Sequence, residues 1–240
     1  MLINHITSGS KGNAIIVDDG ESKLLLDAGI RYKDVARWIR PTDLAGVLVT
    51  HEHQDHAKAV HELARRGLHV CLSRGTADEL EVDKNSNARI IEHLQQFEAG
   101  SWIVVPFDVI HDSAEPMGFL FQSTATGEKG VYIVDSGLVG YNFSGVTHWL
   151  LECNYSERLL EDGPYEDYLK DRVRRNHFSL EDLKTFLGDS DLSETEEIYL
   201  LHLSSANADE ELFKKYIQRL TGKPVYTISD NENKKSVLNY

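Results

Sequence analysis

Short apolar runs that end at a polar residue recur along the chain and predict a protein rich in strands. Runs of branched residues are typical of buried strands, and turn signals such as Asp18-Asp19-Gly20 separate the first of them. The predicted strands are Ala14–Val17, Leu24–Leu26, Leu44–Val49, Leu68–Leu72, a strand through Ile90, Ile103–Ile110, Gly118–Ser123, Val131–Val134, His148–Leu151 and Ile198–Leu201.

Apolar residues spaced by three or four positions predict helices between these strands. Ser179 with Asp182 is a variant of the capping box and starts one of them. The predicted helices are one with the stripe Val35, Trp38 and Ile39, one from Ala57 to about Arg66, one from about Thr76, a charged excursion at about 154–176 interrupted by Gly163-Pro164, one through Phe186, and a last one with Leu212, Phe213, Tyr216, Ile217 and Leu220. The alternation predicts an α/β (α+β) protein.

Polar residues stand repeatedly where a predicted strand ends. They are Asp27, Thr50 with His51, His111, Asp135, Glu152 and His202. In α/β folds the ends of several strands assemble one site from distant segments, whereas six unrelated turn residues would be a coincidence. The pattern predicts a single site.

Composition narrows the class of protein. The 240 residues are 41% hydrophobic and 27% charged, which is typical of a globular chain, and we expect one domain over residues 1–240. No apolar run reaches the roughly 18 residues of a membrane span, and no secretory signal is visible at the N-terminus. Two cysteines, Cys71 and Cys153, do not form a disulfide framework, so we expect a reduced, cytoplasmic location without membrane contact.

The formal net charge of −14 disfavours binding of duplex nucleic acid through a broad basic face. It leaves a phosphate-bearing substrate open, because two divalent cations would reverse the sign of the charge locally.

The strongest chemical signal is His51-Glu52-His53-Gln54-Asp55-His56, on a turn between a predicted strand and a predicted helix. Four possible metal ligands lie within six residues, where side chains can converge without competing for the core. Neutral imidazoles and a carboxylate suit zinc, manganese or iron.

His51-x-His53-x-Asp55-His56, followed in order by His111, Asp135 and His202, resembles the metallo-β-lactamase fold superfamily over nearly the full chain. The resemblance implies a four-layer αββα sandwich of two mixed sheets with a binuclear metal site. It implies that the first ion is bound by His51, His53 and His111, that the second is bound by Asp55, His56 and His202, and that Asp135 bridges them. Two such ions, zinc or else manganese, can share a hydroxide that attacks a phosphoryl group. For Asp27, orientation of a ligand histidine is expected.

Further motifs resemble the YycJ/WalJ-like proteins, which are nuclease-like relatives of tRNase Z. The motifs are Ser8-Gly9-Ser10-x-Gly12-Asn13, Leu25-Leu26-Asp27-Ala28-Gly29, Glu152-x-Asn154, the Asn176–Asp182 stretch and His202-Leu203-Ser204. By order and spacing Glu152 and His177 look like the glutamate and histidine of the tRNase Z proton relay, and a carboxylate-oriented histidine is a suitable general acid. His177, Glu152 and Asp55 are therefore predicted as catalytic, in a phosphodiesterase.

The substrate stays open at this point. A nucleic-acid end is one candidate, and a cyclic mononucleotide, as for the phage anti-Pycsar enzymes of this fold, is the other. A lactonase or thioesterase would need no Glu152–His177 relay, and Glu52 keeps a diiron site open. Candidates for stacking on a base are Tyr132, Tyr141, Phe143 and Tyr155.

The arm with which many tRNase Z enzymes grip tRNA has no evident counterpart. A small basic patch, Lys170, Arg172, Arg174 and Arg175, could contact phosphate, or it could be a solvated helix face balanced by nearby acids. Relatives commonly form homodimers through an excursion like residues 154–176, so a homodimer is expected from the resemblance.

Overall fold

The computed structural model describes residues 1–82 and 86–227. These residues form two compact units. One comprises Met1–Asp108 and Asp112–Glu128, and the other comprises Val109–His111 and the chain from Lys129 onward. We call them the N-terminal unit and the C-terminal unit. The single domain expected over residues 1–240 stays a prediction.

The N-terminal unit contains a six-stranded mixed sheet whose strands follow one another in chain order. The first three strands pair antiparallel through short turns, and the others pair parallel through longer connections. The strands are β1 (Leu2–Thr7), β2 (Ala14–Asp18), β3 (Lys23–Leu26), β4 (Leu44–Leu48), β5 (Val70–Leu72) and β6 (Ala88–Ile90). Only β1 escaped prediction, because the polar side chain of His5 is buried among its inward-facing residues.

Helices of this unit bury their apolar residues in one core with the sheet, for example Val60 and Leu63 against Val47 and Val49. They are α1 (Tyr32–Val35), a 3₁₀ turn (Pro41–Asp43), α2 (Gln54–Ala57), α3 (Val60–Arg65) and α4 (Arg74–Glu79).

Two helix predictions for this unit were too long. The first helix ends at Val35, and Trp38 is 36% exposed rather than part of the core. The helix expected from Ala57 to Arg66 is broken, because the amide of Ala59 donates to the carbonyl of Ala28 at 2.9 Å instead of continuing the helical pattern of α2.

Three antiparallel strands complete the N-terminal unit. They are β7 (Phe97–Ala99), β8 (Trp102–Asp108) and β9 (Met117–Ser123). Three residues are too few for β7 to show a pattern in the sequence, and it was not predicted. β8 stops before Ile110, whose side chain is 54% exposed.

The C-terminal unit has four parallel strands with helices in their connections. The strands are β10 (Lys129–Ile133), β11 (His148–Glu152), β12 (Glu197–Leu201) and β13 (Val225–Tyr226), and the helices are α5 (Glu157–Asp162), α6 (Asp167–Asn176), α7 (Leu180–Asp189) and α8 (Glu210–Thr221). The helical excursion is confirmed as α5 and α6, and Ser179 caps α7 by accepting from the amide of Asp182. The two-residue strand β13 was not predicted.

Both cysteines, Cys71 and Cys153, are buried and free. Within the described residues, the helices are all too short or too polar to cross a bilayer.

Candidate functional site

In the N-terminal unit, the parallel pairing of β3 with β4 brings Asp27 beside Thr50. The amide of Asp27 donates to the carbonyl of Leu48 at 2.8 Å, just past the last residue of β3. The Asp27 carboxylate accepts from the amide and the hydroxyl of Thr50, at 2.8 and 3.0 Å, and lies 2.8 Å from Nδ1 of His56. All three residues are buried. Asp27 thus makes the contact expected of it, since a carboxylate at Nδ1 fixes the tautomer and ring orientation of a histidine and leaves Nε2 to bind a metal.

His51 and His53 converge within the same unit. Nε2 of His51 lies 3.0 Å from Nδ1 of His53, and the Thr50 hydroxyl lies 3.0 Å from the other ring nitrogen of His51. Two nitrogens that bind one tetrahedral zinc at ~2.0–2.1 Å would be roughly 3.3 Å apart. The spacing of this pair therefore fits a shared metal ion.

Asn13 and Gly29 brace the backbone that carries Asp55 and His56. The amide of Asn13 donates to the carbonyl of Asp55 at 2.7 Å, and Nδ2 of Asn13 lies 2.9 Å from Nε2 of His56. A Cβ on Gly29 would lie 1.6 Å from the carbonyl oxygen of Asp55, so only glycine fits. Asn13 was not predicted to support this site, although it ends the Ser8–Asn13 motif, and that motif was the signal that could have identified it.

In the C-terminal unit, Glu152 is the centre of a second cluster. Because β10, β11 and β12 are parallel neighbours, Asp135, Glu152 and His202 stand at the same edge of these strands. Oε1 of Glu152 lies 2.8 Å from Nδ1 of His177 and 2.8 Å from Nδ1 of His202. Its Oε2 accepts from the amides of Ser136 and Phe178, at 3.1 and 3.2 Å. A fully buried carboxylate is thus held by four donors.

Asp135 shares the two histidines with Glu152. Its Oδ1 lies 3.1 Å from Nδ1 of His177 and 2.9 Å from Nδ1 of His202. Asn154 supports the same histidine by donating from Nδ2 to the carbonyl of His202 at 2.8 Å. Asn154 belongs to the motif Glu152-x-Asn154, from which no role for it was predicted, and in the structure it supports the His202 backbone.

The charges of this cluster shift the pKa values of its members. Burial alone would raise the pKa of Glu152, but attraction to His177 and hydrogen bonds from His177 and His202 lower it below its usual value. Burial alone would lower the pKa of His177, but attraction to Glu152 and hydrogen bonds to Asp135 and Glu152 raise it to about 9. The His177 side chain is 22% exposed, whereas that of Glu152 is not exposed at all. His177 is therefore the member of this pair that substrate and solvent can reach.

His111 belongs to the C-terminal unit and lies near His177. Its Nδ1 donates to the carbonyl of Asn176 at 3.2 Å, and the two imidazole centroids are 5.9 Å apart. A bond from Nδ1–H to a backbone carbonyl leaves Nε2 as the nitrogen that can bind a metal. Asn176, the residue before His177, was not predicted to matter beyond its place in a motif.

Three of the predicted residues have strained backbones. Asp27, Asp135 and His202 have φ values of +57°, +48° and +51°, and each follows a strand directly or after one residue. The left-handed region costs a non-glycine residue on the order of 1–2 kcal/mol and is concentrated at functional sites. The strain turns each side chain out of its strand at the point where the hydrogen-bonded cluster requires it.

Glu52 has a structural role. Its Oε1 accepts from the amide of Ala114 at 2.8 Å, and its Oε2 lies 3.5 Å from the Thr76 hydroxyl. The carboxylate thus braces the turn before β9, and the diiron alternative built on Glu52 has no support in these contacts.

Two of the four residues of the predicted basic patch form ion pairs with acidic side chains. Lys170 is buried and donates to the carbonyl and carboxylate of Glu161, and Arg174 pairs with Glu157, Glu161 and Asp171. Of the two open interpretations, these pairs favour a balanced helix face over a phosphate grip.

Among the stacking candidates, Tyr132, Phe143 and Tyr155 are buried core residues, and Tyr141 is only partly buried. A planar ring needs an open face to stack on a base, so Tyr141 alone keeps that possibility.

The donor set fits divalent metal ions. In the C-terminal unit the Asp135 carboxylate lies 2.9 Å from the His202 imidazole, and in the N-terminal unit the His51–His53 pair offers two imidazole nitrogens. Imidazoles and carboxylates are ligands that zinc and manganese take in proteins. The allocation of individual residues to two ions stays a prediction.

Comparison with known proteins gives consistent matches. A family model described as the beta-lactamase superfamily domain matches residues 22–199. Exodeoxyribonuclease YycJ of Bacillus anthracis is 32% identical over 231 residues, which cover 90% of this chain and 87% of that protein. Exodeoxyribonuclease WalJ of Streptococcus pneumoniae is 30% identical over 225 residues, which cover 86% of this chain and 83% of that protein.

A solved structure of the metallo-beta-lactamase fold protein YhfI from Bacillus subtilis superposes with a TM-score of 0.71 at 15% identity, covering 94% of this chain and 95% of that one. These matches confirm the predicted α/β class, with two mixed sheets flanked by helices, and the resemblance to YycJ/WalJ-like proteins.

Proposed function

Because the chain belongs to the β-lactamase superfamily and is a metal-dependent hydrolase, we propose that it cleaves phosphodiester bonds at the ends of DNA chains. The observation that carries the proposal is the 2.8 Å contact between the buried Glu152 carboxylate and Nδ1 of the half-buried His177. The names of the YycJ and WalJ relatives, exodeoxyribonucleases, supply the substrate class.

The Glu152–His177 pair suits a reaction with a basic leaving group. In hydrolysis, a water oxygen forms a bond to phosphorus while the bond from phosphorus to a sugar oxygen breaks. The departing alkoxide needs a proton, and His177 gives it from Nε2 while Glu152 holds Nδ1. A thiolate leaves without a proton, so the pair favours a phosphodiesterase over a thioesterase.

For the metal ligands, the proposal keeps the assignment implied by the family resemblance. His51, His53 and His111 would hold one divalent ion and Asp55, His56 and His202 a second, with Asp135 shared by both. When bound, such ions supply Lewis acidity and water of lowered pKa. Zinc is the preferred metal of the proposal and manganese the second. Asp27 orients His56 and Thr50 orients His51, each through the contact at Nδ1 described above.

Binding of DNA by a chain with a net charge of −14 depends in this proposal on the metal ions rather than on basic side chains. The pairing of Lys170 and Arg174 with acids supports this, because these two cations are already neutralised. A homodimer and a cytoplasmic location complete the proposal, and light scattering in solution tests the dimer.

A substrate panel tests the function. The zinc- or manganese-loaded protein is incubated with single- and double-stranded DNA, RNA, bis(p-nitrophenyl) phosphate and 3′,5′-cyclic nucleotides. We expect release of nucleotides from DNA ends. Hydrolysis of cyclic nucleotides alone would replace the proposal with a signal-degrading enzyme, and absence of all phosphodiester turnover would overturn it in favour of an ester or thioester hydrolase.

Substitution of His177 tests the role of the relay. For His177→Ala we expect kcat on DNA to fall by about 10²–10⁴-fold. Turnover of bis(p-nitrophenyl) phosphate should fall much less, because p-nitrophenolate leaves without a proton. His61→Ala, an exposed histidine on α3, is the matched control and should leave both activities unchanged. Equal losses on the two substrates would show that His177 does not act as the acid.

A further inference from the structure

A cleft of about 370 Å³ lies in the C-terminal unit between the segment 138–142 and helix α7. Tyr141 and Phe186 contribute its rings, and Asp182 and Asp189 contribute two carboxylates. The Leu138 side chain, 58% exposed, stands on the same wall. The volume lies at the lower end of the range for small-molecule sites, which are concave and mostly apolar with a few polar groups.

The aromatic wall of this cleft is rigid. Phe186 packs edge-on against Trp149, Phe178 and Phe143, with ring centroids 5.8, 5.9 and 6.5 Å apart. Trp149 is wholly buried beneath it. Edge-to-face packing fixes the orientation of a ring, so Phe186 offers a preformed surface to a planar ligand. Tyr141, whose ring centroid is 6.4 Å from that of Phe143, belongs to the same aromatic cluster.

Residues that line the cleft are bonded, directly or through one neighbour, to the Glu152 carboxylate. Phe178 lines the cleft and follows His177 in the chain, and its amide donates to Oε2 of Glu152 at 3.2 Å. On the other wall, the hydroxyl of Ser136 donates to the carbonyl of Leu138 at 2.8 Å, while the Ser136 amide donates to the same Glu152 oxygen. Both walls are thus held by the carboxylate that orients His177.

The negative charge of the two carboxylates in the cleft limits which ligands can bind there. Asp182 and Asp189 would repel a phosphate group, so the sugar–phosphate backbone is excluded from this position. Asp189 is also the last residue of α7, where the helix dipole disfavours a negative charge, and a ligand that donates hydrogen bonds would relieve this. A flat, uncharged ring with amino groups matches both the aromatic surface and the carboxylates.

We propose that this cleft seats the nucleobase of the nucleotide whose phosphodiester bond is cleaved, and that it prefers bases with an exocyclic amino group. The inference rests on the proposed function and specifies its substrate. Adenine and cytosine present an exocyclic amino group to the carboxylates, whereas thymine has two carbonyl oxygens, one ring N–H group and no amino group.

Esters with one common leaving group test the proposal on the metal-loaded protein. The substrates are the p-nitrophenyl esters of deoxyadenosine 5′-phosphate and thymidine 5′-phosphate, and methyl p-nitrophenyl phosphate, which has no base. Tyr141→Ala should lower kcat/KM for the deoxyadenosine ester roughly tenfold and leave the methyl ester within about twofold. Tyr141→Phe should restore the activity, and Asp189→Asn should reduce the preference for deoxyadenosine over thymidine.

Tyr168→Ala is the matched control, because this tyrosine on α6 is 67% exposed and does not line the cleft. It should change none of the rates. If Tyr141→Ala lowers the rates of all three esters equally, or of none, the base seat is overturned while the phosphodiesterase function stands.

Calorimetric binding of deoxyadenosine monophosphate, against deoxyribose 5-phosphate, gives a readout that needs no turnover. If no ester is hydrolysed, the proposed function fails. The calorimetric binding of the two ligands then tests on its own whether the cleft binds a nucleobase. Base-dependent binding that Tyr141→Ala abolishes supports the seat, and equal binding of the two ligands contradicts it.

Discussion

Each unit of the chain contains an Asp-x-Gly loop after a strand, and the aspartates of the two loops make different contacts. Asp27-Ala28-Gly29 follows β3, and Asp135-Ser136-Gly137 follows β10 one residue later. Both aspartates have positive φ, and both glycines lie against a backbone carbonyl. A Cβ would lie 1.6 Å from the carbonyl oxygen of Asp55 at Gly29, and 2.0 Å from that of Arg175 at Gly137.

The partners of the two aspartates differ. Asp27 accepts from the fixed amide and the hydroxyl of Thr50 and contacts one histidine, His56, and all of these groups are buried. Asp135 contacts two imidazoles, of His177 and His202, and shares both with a second carboxylate. The contacts around the first aspartate are therefore wholly buried, whereas the second aspartate meets two imidazoles of which one, His177, is 22% exposed.

The same backbone arrangement thus serves two purposes in this chain. A strained aspartate and a glycine without a side chain bring a strand end against the segment that carries the next functional residues. Whether the result is a buried support or a partly exposed group of titratable side chains depends on the residues that meet the aspartate and on whether one of them, as His177 does, reaches solvent.

The largest effect is expected from adding a side chain to Gly29 or Gly137, where the backbone of another segment lies too close for a Cβ. Gly29→Ala should lower the free energy of unfolding by about 3 kcal/mol or more, and Gly137→Ala by somewhat less, because overpacking against backbone forces the chain to shift. Gly188→Ala, in helix α7 with open space around it, should instead stabilise by about 0.5–1 kcal/mol. Urea denaturation of the three variants checks this. Equal stability of Gly29→Ala and the parent would show that the loop is not tightly apposed.

An intermediate effect is expected from Asp27→Asn. The asparagine keeps an acceptor for Thr50 but loses the charge that faces Nδ1 of His56, so we expect a loss of about 1–3 kcal/mol in stability. Affinity for zinc should fall about 10–100-fold, because the ring is no longer held in the ligand tautomer. Titration with a competing chelator measures the affinity. An unchanged affinity would separate Asp27 from metal binding and leave it a purely structural residue.

The smallest effect, taken per pH unit, is expected from raising the pH of the metal-free protein. The pKa of His177 is raised to about 9 in the folded state from about 6.5, so its contribution to stability is fully present below pH 6.5 and is lost as pH rises through 9. The slope should not exceed about 1.4 kcal/mol per pH unit. Denaturation in EDTA at several pH values measures it, and His177→Gln should remove it. A slope that survives in His177→Gln would belong to other groups.

The sequence alone determined the α/β class, most strands, the helical excursion and the family, because hydrophobic periodicity and the order of motif residues are local properties. Polar residues at strand ends predicted a single site, which stays a prediction; within the N-terminal unit Asp27 contacts Thr50, and within the C-terminal unit Asp135 and Glu152 both contact His202. Neighbouring parallel strands finish at a common edge, and this rule needs no coordinates.

Other features were decided only by tertiary structure. Glu52 accepts a hydrogen bond from the amide of Ala114 in a distant turn, and Lys170 is buried and donates to Glu161. The helix after His56 breaks at Ala59 because the amide of Ala59 donates to the carbonyl of Ala28 in another loop. The positive φ of Asp27 and Asp135, and the cleft at Tyr141, likewise depend on which segments meet. Periodicity records which side of an element is apolar, but it does not record which distant donor or ring will meet it, and that choice belongs to the folded chain.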